Sequence, residues 1–350
     1  MSTIDFALTC PAPAGRHTTV QLAHGGGGRL TRELVESVFV PAFDSRALRE
    51  RHDSAVLPLG EAWLAFTTDS YVIHPRFFPG GDIGKLAVFG TVNDLAMAGA
   101  RPLYLSAGFI LEEGLPLGEL QRIAASMRAA ADACGVELVT GDTKVVDRGK
   151  GDGLFVNTAG VGVVPRNVAI GPRHIRPGDA ILLSGDVGRH GIAVLSVRKG
   201  LELESGVESD CAPLAAQVAG LLETGIDVHC LRDATRGGLA TALNELALDA
   251  AVGIEVEERA IPVCDEVRGA CELLGLDPLY VACEGRMVVF VPAAEACRAL
   301  DALRACHGGE AAVQIGEART GPAGMVTLKT TLGAHRLLDL LSGEQLPRIC

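Results

Sequence analysis

The stretch Gly84-Lys-Leu-Ala-Val-Phe-Gly-Thr-Val-Asn-Asp-Leu-Ala-Met-Ala-Gly99 decides how the first half of the chain can fold. Its apolar residues occupy nearly every side of a helix, a pattern typical of a helix that is buried all round. Apart from Lys85, its one charged side chain is Asp94. A buried carboxylate without a partner is costly, so Asp94 needs a metal ion, a basic partner or many hydrogen bonds. The sequence favours the metal, and a structural ion pair with Lys85 or Arg101 is the alternative.

Apolar strands and helices alternate on both sides of this stretch. A helix at 29–40 is ended by Pro41, and a strand at 63–66 ends in Thr67-Thr68-Asp69. The other elements predicted in this half are strands at 103–111, 136–139 and 154–164 and helices at 84–99 and 120–134. The last of these helices is amphipathic, because its apolar residues recur three and four positions apart. This half therefore predicts a sheet covered by helices.

The second half repeats the α/β pattern after a boundary marked by Gly171-Pro172 and Pro177-Gly178-Asp179. Its predicted elements are strands at 180–183 and 287–291 and helices at 192–199, 214–222, 237–248, 264–274 and 293–306. We therefore predict an α/β (α+β) protein with domains at 51–165 and 175–335. A glycine-rich segment and helix at 1–50 precede them, and a mobile tail at 336–350 follows.

Composition excludes several classes of protein. The chain has 350 residues, 48% of them hydrophobic, so it can bury a core and is not largely disordered. Its net charge of −12 makes it a poor general binder of nucleic acid, where affinity rests on neutralising phosphates. No window is long and apolar enough for a membrane span, and the N-terminus lacks the basic region of a secretory signal. We therefore expect a cytoplasmic protein without nucleic-acid or membrane partners.

Two further acids follow predicted strands. Asp69 and Asp142 each come after an apolar strand, through a turn that contains threonine. In open α/β sheets, ligands bind beyond the carboxyl ends of the strands. Carboxylates there could hold Mg²⁺, which in turn can bind a polyphosphate. A structural ion pair would explain either residue equally well.

Three glycine-rich segments precede predicted helices. Asp233-Ala-Thr-Arg-Gly-Gly-Leu239 and Gly185-Asp-Val-Gly-Arg-His-Gly191 could present backbone N–H groups to an anion, or could be plain helix caps. The first of them matches neither a P-loop nor a dinucleotide-binding motif. Gly25 to Gly28 could form a flexible lid over phosphates or a simple linker.

Ten cysteines are spread through the chain without a CxxC pair or a zinc-finger spacing. Most of them we interpret as small buried hydrophobic residues. Cys350 differs, because it is the last residue of the predicted tail. From Ser342 an extended tail could reach ~25–30 Å, so this thiol could be a carrier that swings into a pocket. An incidental surface cysteine is the alternative.

Eight segments together carry a family resemblance. They are Gln21-Leu-Ala-His-Gly-Gly-Gly-Gly28, Phe66-Thr-Thr-Asp-Ser70, Gly80-Gly-Asp-Ile-Gly-Lys-Leu-Ala87, Val92-Asn-Asp94, Thr140-Gly-Asp-Thr-Lys-Val145, Gly185-Asp-Val-Gly-Arg-His-Gly191, Arg232-Asp-Ala-Thr-Arg-Gly-Gly238 and Pro347-Arg-Ile-Cys350. From about Gln21 onward the chain resembles the HypE family of hydrogenase maturation proteins. That family belongs to the superfamily of aminoimidazole ribonucleotide synthetase and selenophosphate synthetase, and the last segment is the most specific because the wider superfamily lacks it.

The resemblance implies a particular architecture. It is the two-domain, PurM-like ATP-binding fold. The N-terminal domain of this fold contributes its sheet to a β-barrel shared with a second subunit, and its C-terminal domain is an α/β sandwich. The resemblance therefore implies a homodimer, which nothing in the composition indicates.

The resemblance also implies an ATP-dependent carbamoyl dehydratase. A partner carbamoyltransferase, HypF, would place a carbamoyl group on the thiol of Cys350. The enzyme would convert this S-carboxamide into a thiocyanate. A HypC–HypD complex would then accept the cyanide for the iron of a [NiFe]-hydrogenase.

The implied chemistry assigns roles to residues of this chain. Cys350 carries the group, Lys144 supplies a cation near the polarised oxygen, and Glu284 is the base. A surface lysine and a turn acid are the alternatives for the last two. The residues assigned to ATP are Gly26, Gly27, Asp69, Asp82, Lys85, Asn93, Asp94, Thr143 and Asp233. The residues assigned to Mg²⁺ are Asp69, Asp94, Asp142 and Asp233.

Two other functions remain open at this point. A selenophosphate synthetase would carry a catalytic cysteine or selenocysteine in its N-terminal glycine-rich loop, but residues 24–28 contain none. A non-enzymatic thiol carrier or metal chaperone would need no phosphate site. ATP hydrolysis that depends on Cys350 would therefore separate a carrier from an enzyme.

Overall fold

A computed structural model describes residues 17–200, 206–341, 346 and 348–350, so the first sixteen residues of the segment predicted at 1–50 lie outside them. The strands are β1 (Ala55–Leu59), β2 (Ala62–Tyr71), β3 (Phe77–Phe78), β4 (Gly81–Asp82), β5 (Arg101–Glu112), β6 (Glu137–Val146), β7 (Leu154–Val164), β8 (Asp179–Leu183), β9 (Cys230–Asp233), β10 (Gly253–Glu257), β11 (Met287–Pro292), β12 (Val313–Arg319), β13 (Val326–Lys329) and β14 (His335–Leu337). The helices are α1 (Arg29–Leu34), α2 (Val40–Phe43), α3 (Ile83–Met97), α4 (Leu117–Cys134), α5 (Arg189–Lys199), α6 (Ala215–Glu223), α7 (Gly238–Ala250), α8 (Asp265–Leu274) and α9 (Ala296–Arg304).

The first domain is a five-stranded sheet in the order β1-β2-β7-β5-β6, antiparallel except for the β5–β6 pair. Helices α3 and α4 cover one face, which we call the inner face. Residues of β7 alternate between that face, where Val156 is buried, and the other face. This second, open face exposes Phe66, Tyr104 and Ile110. The sheet therefore has one core-forming side and one apolar side that no described element of the chain covers.

The second domain is a seven-stranded mixed sheet in the order β14-β13-β10-β12-β8-β11-β9. Helix α7 packs on one face through Leu239 and Leu243. Helices α6 and α9 pack on the other through Leu221 and Leu303. The sheet is thus the middle layer of an α/β sandwich, as the resemblance implied.

Helix α3 joins the two domains. It is buried along nearly its whole length, as the sequence predicted, and Asp82 caps its N-terminus by accepting hydrogen bonds from the N–H groups of residues 84 and 85. The Asn93 side-chain amide donates to the carbonyl of Ala212 at 3.1 Å and accepts from the N–H of Leu214 at 2.7 Å. A buried amide with both ends satisfied fixes the second domain against this helix.

Several predicted boundaries were wrong. The first helix does not stop at Pro41, because a wider turn at Val35–Phe39 leads into α2 and places the proline in a first turn, where its missing N–H costs little. Strands β2 and β6 continue through Asp69 and Asp142 instead of ending before them. Their central residues are polar or small because each strand has one face that is not part of the core. The strands β1, β3, β4, β10, β12, β13 and β14 were not predicted.

The resemblance implied a β-barrel that two subunits share. The five-stranded sheet is open in the single chain, so a barrel would need the sheet of a second copy. Among the helices that the structure describes, none is long and apolar enough to cross a membrane.

Candidate active site

A cavity of about 260 Å³ lies between the two domains. Its wall is formed by α1, β2 and α3 on one side and by the segment around β9 and α7 on the other. The residues that line it are Gly27, Thr31, Asp53, Thr67, Thr68, Asp69, Gly90, Asp94, Arg232, Asp233, Thr235, Arg236, Gly238, Thr241, Ala242, Glu245, Glu284 and Cys350.

Three carboxylates meet at the centre of this wall. One oxygen of each of Asp53, Asp94 and Asp233 lies within 4.8 Å of the others. Burial raises the pKa of Asp94 and Asp233 well above the ordinary range, and their neighbouring acids add to the effect. Like charges this close repel one another unless a cation or a proton joins them, so the cluster is a candidate metal site.

The cluster is held by its surroundings. Thr67, on the inner face of β2, donates its hydroxyl to Oδ2 of Asp94 at 2.9 Å. Arg232 forms ion pairs with Asp53 at 3.1 Å and with Glu245 at 3.2 Å. One positive side chain therefore faces several acids, which leaves the site rich in oxygen ligands.

Several buried polar atoms at the cavity lack a hydrogen-bond partner among the described residues. They are Thr31 Oγ1, Asp53 Oδ2, Thr241 Oγ1 and Glu284 Oε1. An unpaired buried polar atom is costly, so such atoms in one cavity indicate that a polar ligand completes it. Carboxylate and hydroxyl oxygens suit Mg²⁺ and a phosphorylated ligand.

Asp69 lines the same cavity from β2. Its position opposite Thr158 of β7 places it on the inner face, toward α3. One of its oxygens accepts a hydrogen bond from the N–H of Ser70 at 2.7 Å. The structure therefore brings together Asp69, Asp94 and Asp233 as the sequence assigned them.

Glu284 is buried at the far end of the cavity, in the loop before β11. The loop is held by Asp210, whose Oδ2 accepts the N–H groups of Glu284 at 3.2 Å and Gly285 at 3.3 Å. Burial raises the pKa of Glu284 well above its ordinary value, and Asp233, Asp210 and Asp69 raise it further. A carboxyl group with a raised pKa exchanges its proton closer to neutral pH, which the assigned role of base would use.

Cys350 also lines the cavity, so the end of the tail lies inside the site. We expected this end to be exposed, but Ile349 is buried and Cys350 half-buried. Burial raises the pKa of the Cys350 thiol, while the nearby guanidinium of Arg236 opposes that effect. The Arg236 guanidinium donates to the carbonyl of Gly25 at 3.0 Å. The thiol, the arginine and the glycine-rich segment are therefore neighbours.

Of the two glycines assigned to ATP, Gly27 lines the cavity and Gly26 does not. Gly27 has a φ of +77°, and a Cβ there would lie 3.0 Å from the Cβ of Arg236. Only glycine combines that backbone with so close an approach. The segment Gly25 to Gly28 therefore packs against the site instead of forming a free linker.

Three other residues assigned to ATP do not reach this cavity in the single chain. Asp82 caps α3, and Asn93 joins the domains, as described above. Lys85 donates to the carbonyl of Gly80 at 2.8 Å. All three have local structural partners, so their assignment to ATP stays a prediction.

The segment Asp142, Thr143 and Lys144 lies apart from the cavity. It belongs to β6, the edge strand, three strands away from β2, or about 14 Å across the sheet. Asp142 and Lys144 pair with each other at 2.7 Å and are largely exposed. Their partners across the ladder, Gly108 and Ile110, place them on the open face. Within one chain the structure therefore does not bring Asp142 into the ligand cluster or Lys144 to Cys350.

Sequence reasoning missed several residues of the site, chiefly Asp53, Thr67, Arg232, Arg236 and Glu245. Arg232 and Arg236 flank Asp233 inside a segment already singled out, so their charge was a usable signal. Thr67 precedes Asp69 by two residues, which puts both on one face of a strand. Asp53 lies in a loop before β1, where no local pattern distinguishes it from a surface acid.

Comparison with known proteins gives this geometry a context. The N-terminal domain model of AIR synthase related proteins matches residues 51–164, and the C-terminal domain model matches residues 176–329. The carbamoyl dehydratase HypE of Azotobacter vinelandii is 52% identical over 335 residues, which cover 96% of this chain and 98% of the relative.

Solved structures agree with the relatives. A HypE structure in complex with ATP superposes with a TM-score of 0.80 at 49% identity, covering 95% of this chain and 100% of that one. A structure of a HypE–HypF complex gives a TM-score of 0.83 at 43% identity, covering 87% of this chain and 99% of that one.

Proposed function

Because this chain belongs to the HypE family of carbamoyl dehydratases, within the AIR synthase related proteins, we propose that it acts on its own Cys350. The chain is an enzyme that uses ATP to dehydrate an S-carboxamide to a thiocyanate, which supplies the cyanide ligand in [NiFe]-hydrogenase maturation. The observation that carries this assignment is that Cys350 lines the same cavity as the acidic cluster and Glu284.

The reaction converts S–C(=O)–NH₂ and ATP into S–C≡N, ADP and inorganic phosphate. An amide oxygen is a poor leaving group, and transfer of the γ-phosphoryl group to it makes phosphate the leaving group. The nitrogen must lose both of its protons as the nitrile forms. Glu284, buried beside the thiol's cavity, is the group we assign to accept a proton there.

The residues fit a divalent cation. Asp53, Asp69, Asp94 and Asp233 would hold Mg²⁺, since they supply oxygen ligands in one wall. Among the described residues only Asp53 of these four forms an ion pair with a base. The ion would neutralise phosphate charge during the transfer. In this set Asp53 takes the place that the resemblance assigned to Asp142, because Asp142 lies on the edge strand, outside the cavity.

Lys144 can act at this site if it comes from a second copy of the chain. The open face exposes Phe66, Tyr104 and Ile110, and Lys144 lies on that face at its edge. An apolar face of this kind is costly in water, so two copies would gain by covering it. We therefore propose a homodimer in which Lys144 of one copy, oriented by its ion pair with Asp142, completes the site of the other.

The proposal includes partners and a compartment. A HypF-type carbamoyltransferase loads the thiol, in keeping with the HypE–HypF complex among the similar structures. A HypC–HypD complex accepts the cyanide. A carrier thiol must stay reduced, which favours the cytoplasm.

Intact-mass measurement tests this function. After treatment with a carbamoyl donor system, the chain should gain one CONH₂ group in place of a hydrogen, and ATP with Mg²⁺ should then remove one water. Proteolysis should place both changes on the peptide that contains Cys350. Cys350→Ala should accept no carbamoyl group, whereas Cys297→Ala, at another free cysteine that is exposed, should behave as the parent.

Other outcomes would contradict the assignment. A carbamoyl group on a different cysteine, or one still accepted by Cys350→Ala, would exclude the carrier role of Cys350. Carbamoylation without any ATP-dependent loss of water would indicate a thiol carrier. Phosphate transfer to selenide would indicate a selenophosphate synthetase.

A further inference from the structure

We infer that His190 is a positioning residue for the dehydration, because its ring holds the carbonyl of Ile349 and so places the Cys350 thiol in the cavity. This inference rests on the proposed function and adds to it the means by which the substrate group is brought to the site. His190 belongs to the segment Gly185 to Gly191, which the sequence singled out and which the proposed chemistry does not use.

The tail end is seated by hydrogen bonds from both domains. Nε2 of His190 lies 2.7 Å from the carbonyl oxygen of Ile349, and both residues are buried. The N–H of Val72 donates to a terminal carboxylate oxygen of Cys350 at 3.0 Å, and that of His74 to the carbonyl of Arg348 at 3.3 Å. These two pairs run antiparallel. The tail end therefore lies beside residues 72 to 74, which follow β2, as an added strand would.

The hydrogen-bond partners of the His190 ring define its tautomer. A carbonyl only accepts, so Nε2 carries the proton toward Ile349. Nδ1 lies 2.8 Å from the hydroxyl of Ser209 and accepts from it. Burial lowers the pKa of His190, which keeps the ring neutral with one donor and one acceptor. Phe78 packs edge-on against the ring at 5.3 Å between centroids.

The same support holds the proposed base. Oδ1 of Asp210 accepts the N–H of His190 at 3.1 Å, while its Oδ2 accepts those of Glu284 and Gly285. Asp210 is buried, and its side chain lies 4.0 Å from Arg286. One carboxylate therefore fixes both the ring that seats the tail and the loop that carries Glu284.

One glycine of the segment, Gly191, makes room for the tail. Gly188 precedes α5 with a φ of +88°, and the N–H of Gly191 donates to the carbonyl of Ala282 at 3.1 Å. A Cβ at Gly191 would lie 2.4 Å from Val281 and 3.1 Å from Leu346 of the tail. The segment is thus a close-packed seat for a peptide, where the sequence alone left open a site for an anion or a plain helix cap.

The seat predicts opposite effects on the two steps of the reaction. The carbamoyl group comes from another protein, so the thiol must leave the cavity to receive it. Dehydration uses ATP and Glu284 inside the cavity, so the thiol must return. Loss of the His190 hydrogen bond should therefore slow dehydration without slowing carbamoylation.

The experiment measures both rates by intact mass with the full chain. His190→Ala, His190→Gln and the parent are first carbamoylated by the donor system. The isolated S-carboxamide forms are then mixed with ATP and Mg²⁺ and quenched at intervals. We expect His190→Ala to dehydrate roughly tenfold more slowly, the effect of one buried hydrogen bond on the docked population. Its carbamoylation should be as fast as the parent's or faster.

The conservative variant separates positioning from general damage. Glutamine at position 190 places an amide N–H near the position of Nε2, so His190→Gln should recover most of the dehydration rate. His229→Ala is the matched control, because His229 is also buried but is paired with Asp179 and has no hydrogen bond to the described tail residues 346 and 348–350. It should leave the ratio of the two rates unchanged, even if it lowers the melting temperature.

Each outcome decides the matter. Dehydration at the parent rate in folded His190→Ala, or an equal slowing of both steps, would overturn the inference. If His190→Ala does not fold, His190→Phe decides in its place, because phenylalanine fills the space of the ring without its Nε2 donor, and parent-rate dehydration there would overturn the inference. If the parent itself forms no thiocyanate, the proposed function has failed and not the role of His190.

Discussion

Two segments of the first domain share a Thr-x-Asp pattern but lie on different faces of the sheet. Thr67 and Asp69 lie on the inner face of β2, where they meet α3 and the acidic cluster. Thr140 and Asp142 lie on the open face of β6, the edge strand, where they are exposed. Position in the sheet, and not the local pattern, decides which acid is buried among other acids.

The difference shows what the environment does to a carboxyl group. Burial raises the pKa of Asp94, the partner of Thr67 in the cluster. Lys144 and the N–H of Thr143 lower the pKa of Asp142 at the edge of the sheet. The buried cluster needs a cation to stay charged, whereas Asp142 already has one. The first region therefore suits metal binding and the second suits orienting an ammonium group.

The largest effect should come from breaking the buried region. Asp94→Asn removes a negative charge from the cluster, so ATP should bind roughly a hundredfold more weakly in the presence of Mg²⁺, or about 3 kcal/mol. Asp142→Asn, the control at the sheet edge, should change that affinity by less than about threefold. Calorimetric titration measures both. Equal losses in the two variants would show that the two acids share a ligand set.

A mixing experiment tests whether the edge region serves a second copy. Lys144→Ala and Cys350→Ala should each abolish thiocyanate formation alone, while Lys144→Ala stays as stable as the parent because its side chain is exposed. Mixed in equal amounts and allowed to exchange, they should recover about one quarter of the parent activity per site. Half of the dimers are then hybrids, and one site in each hybrid has both residues.

The outcome of the mixing is read by intact mass. Recovery confined to the Lys144→Ala chains, which keep Cys350, would support the shared site. No recovery in mixtures proven to contain hybrid dimers would exclude the shared site.

The smallest effect concerns the two threonines. Thr67→Val removes the hydroxyl that donates to Asp94 and leaves that buried carboxyl with one partner fewer, at a cost of about 1–3 kcal/mol. Thr140→Val should stay within about ±0.5 kcal/mol of the parent, because Thr140 is exposed. Chemical denaturation without ATP or Mg²⁺ measures both. If the two variants are equally stable, the buried hydroxyl of Thr67 contributes no more to the free energy of unfolding than the exposed hydroxyl of Thr140.

Local signals in the sequence identified much of this site. The apolar pattern of α3 and the lone charge of Asp94 are properties of one helix, so they could be seen without the fold. Asp233 could be found because a glycine pair follows it at the start of a helix. Cys350 was found by the resemblance of its segment more than by chemistry.

The rest depends on contacts between distant segments. Asp53 joins the cluster because β1 pairs with β2, which no local pattern around residue 53 reveals. The strand order β2-β7-β5-β6 separates Asp69 from Asp142, although the sequence gives them the same surroundings. The seat of the tail joins residues 190 and 349, and its signal was a histidine inside a glycine-rich segment.

The Asn93 bridge has a consequence for access to the cavity. Its two hydrogen bonds to residues 212 and 214 lie where the two domains meet. In the same region the guanidinium of Arg232 donates to the carbonyl of Arg51 at 2.8 Å. A hinge that opened the cavity would have to break these bonds in the interior. We therefore expect the domains to stay joined at this point, so that access to the cavity depends on the Gly25 to Gly28 segment and on the tail end. Both lie next to Arg236, so a change at either one acts on the same guanidinium group.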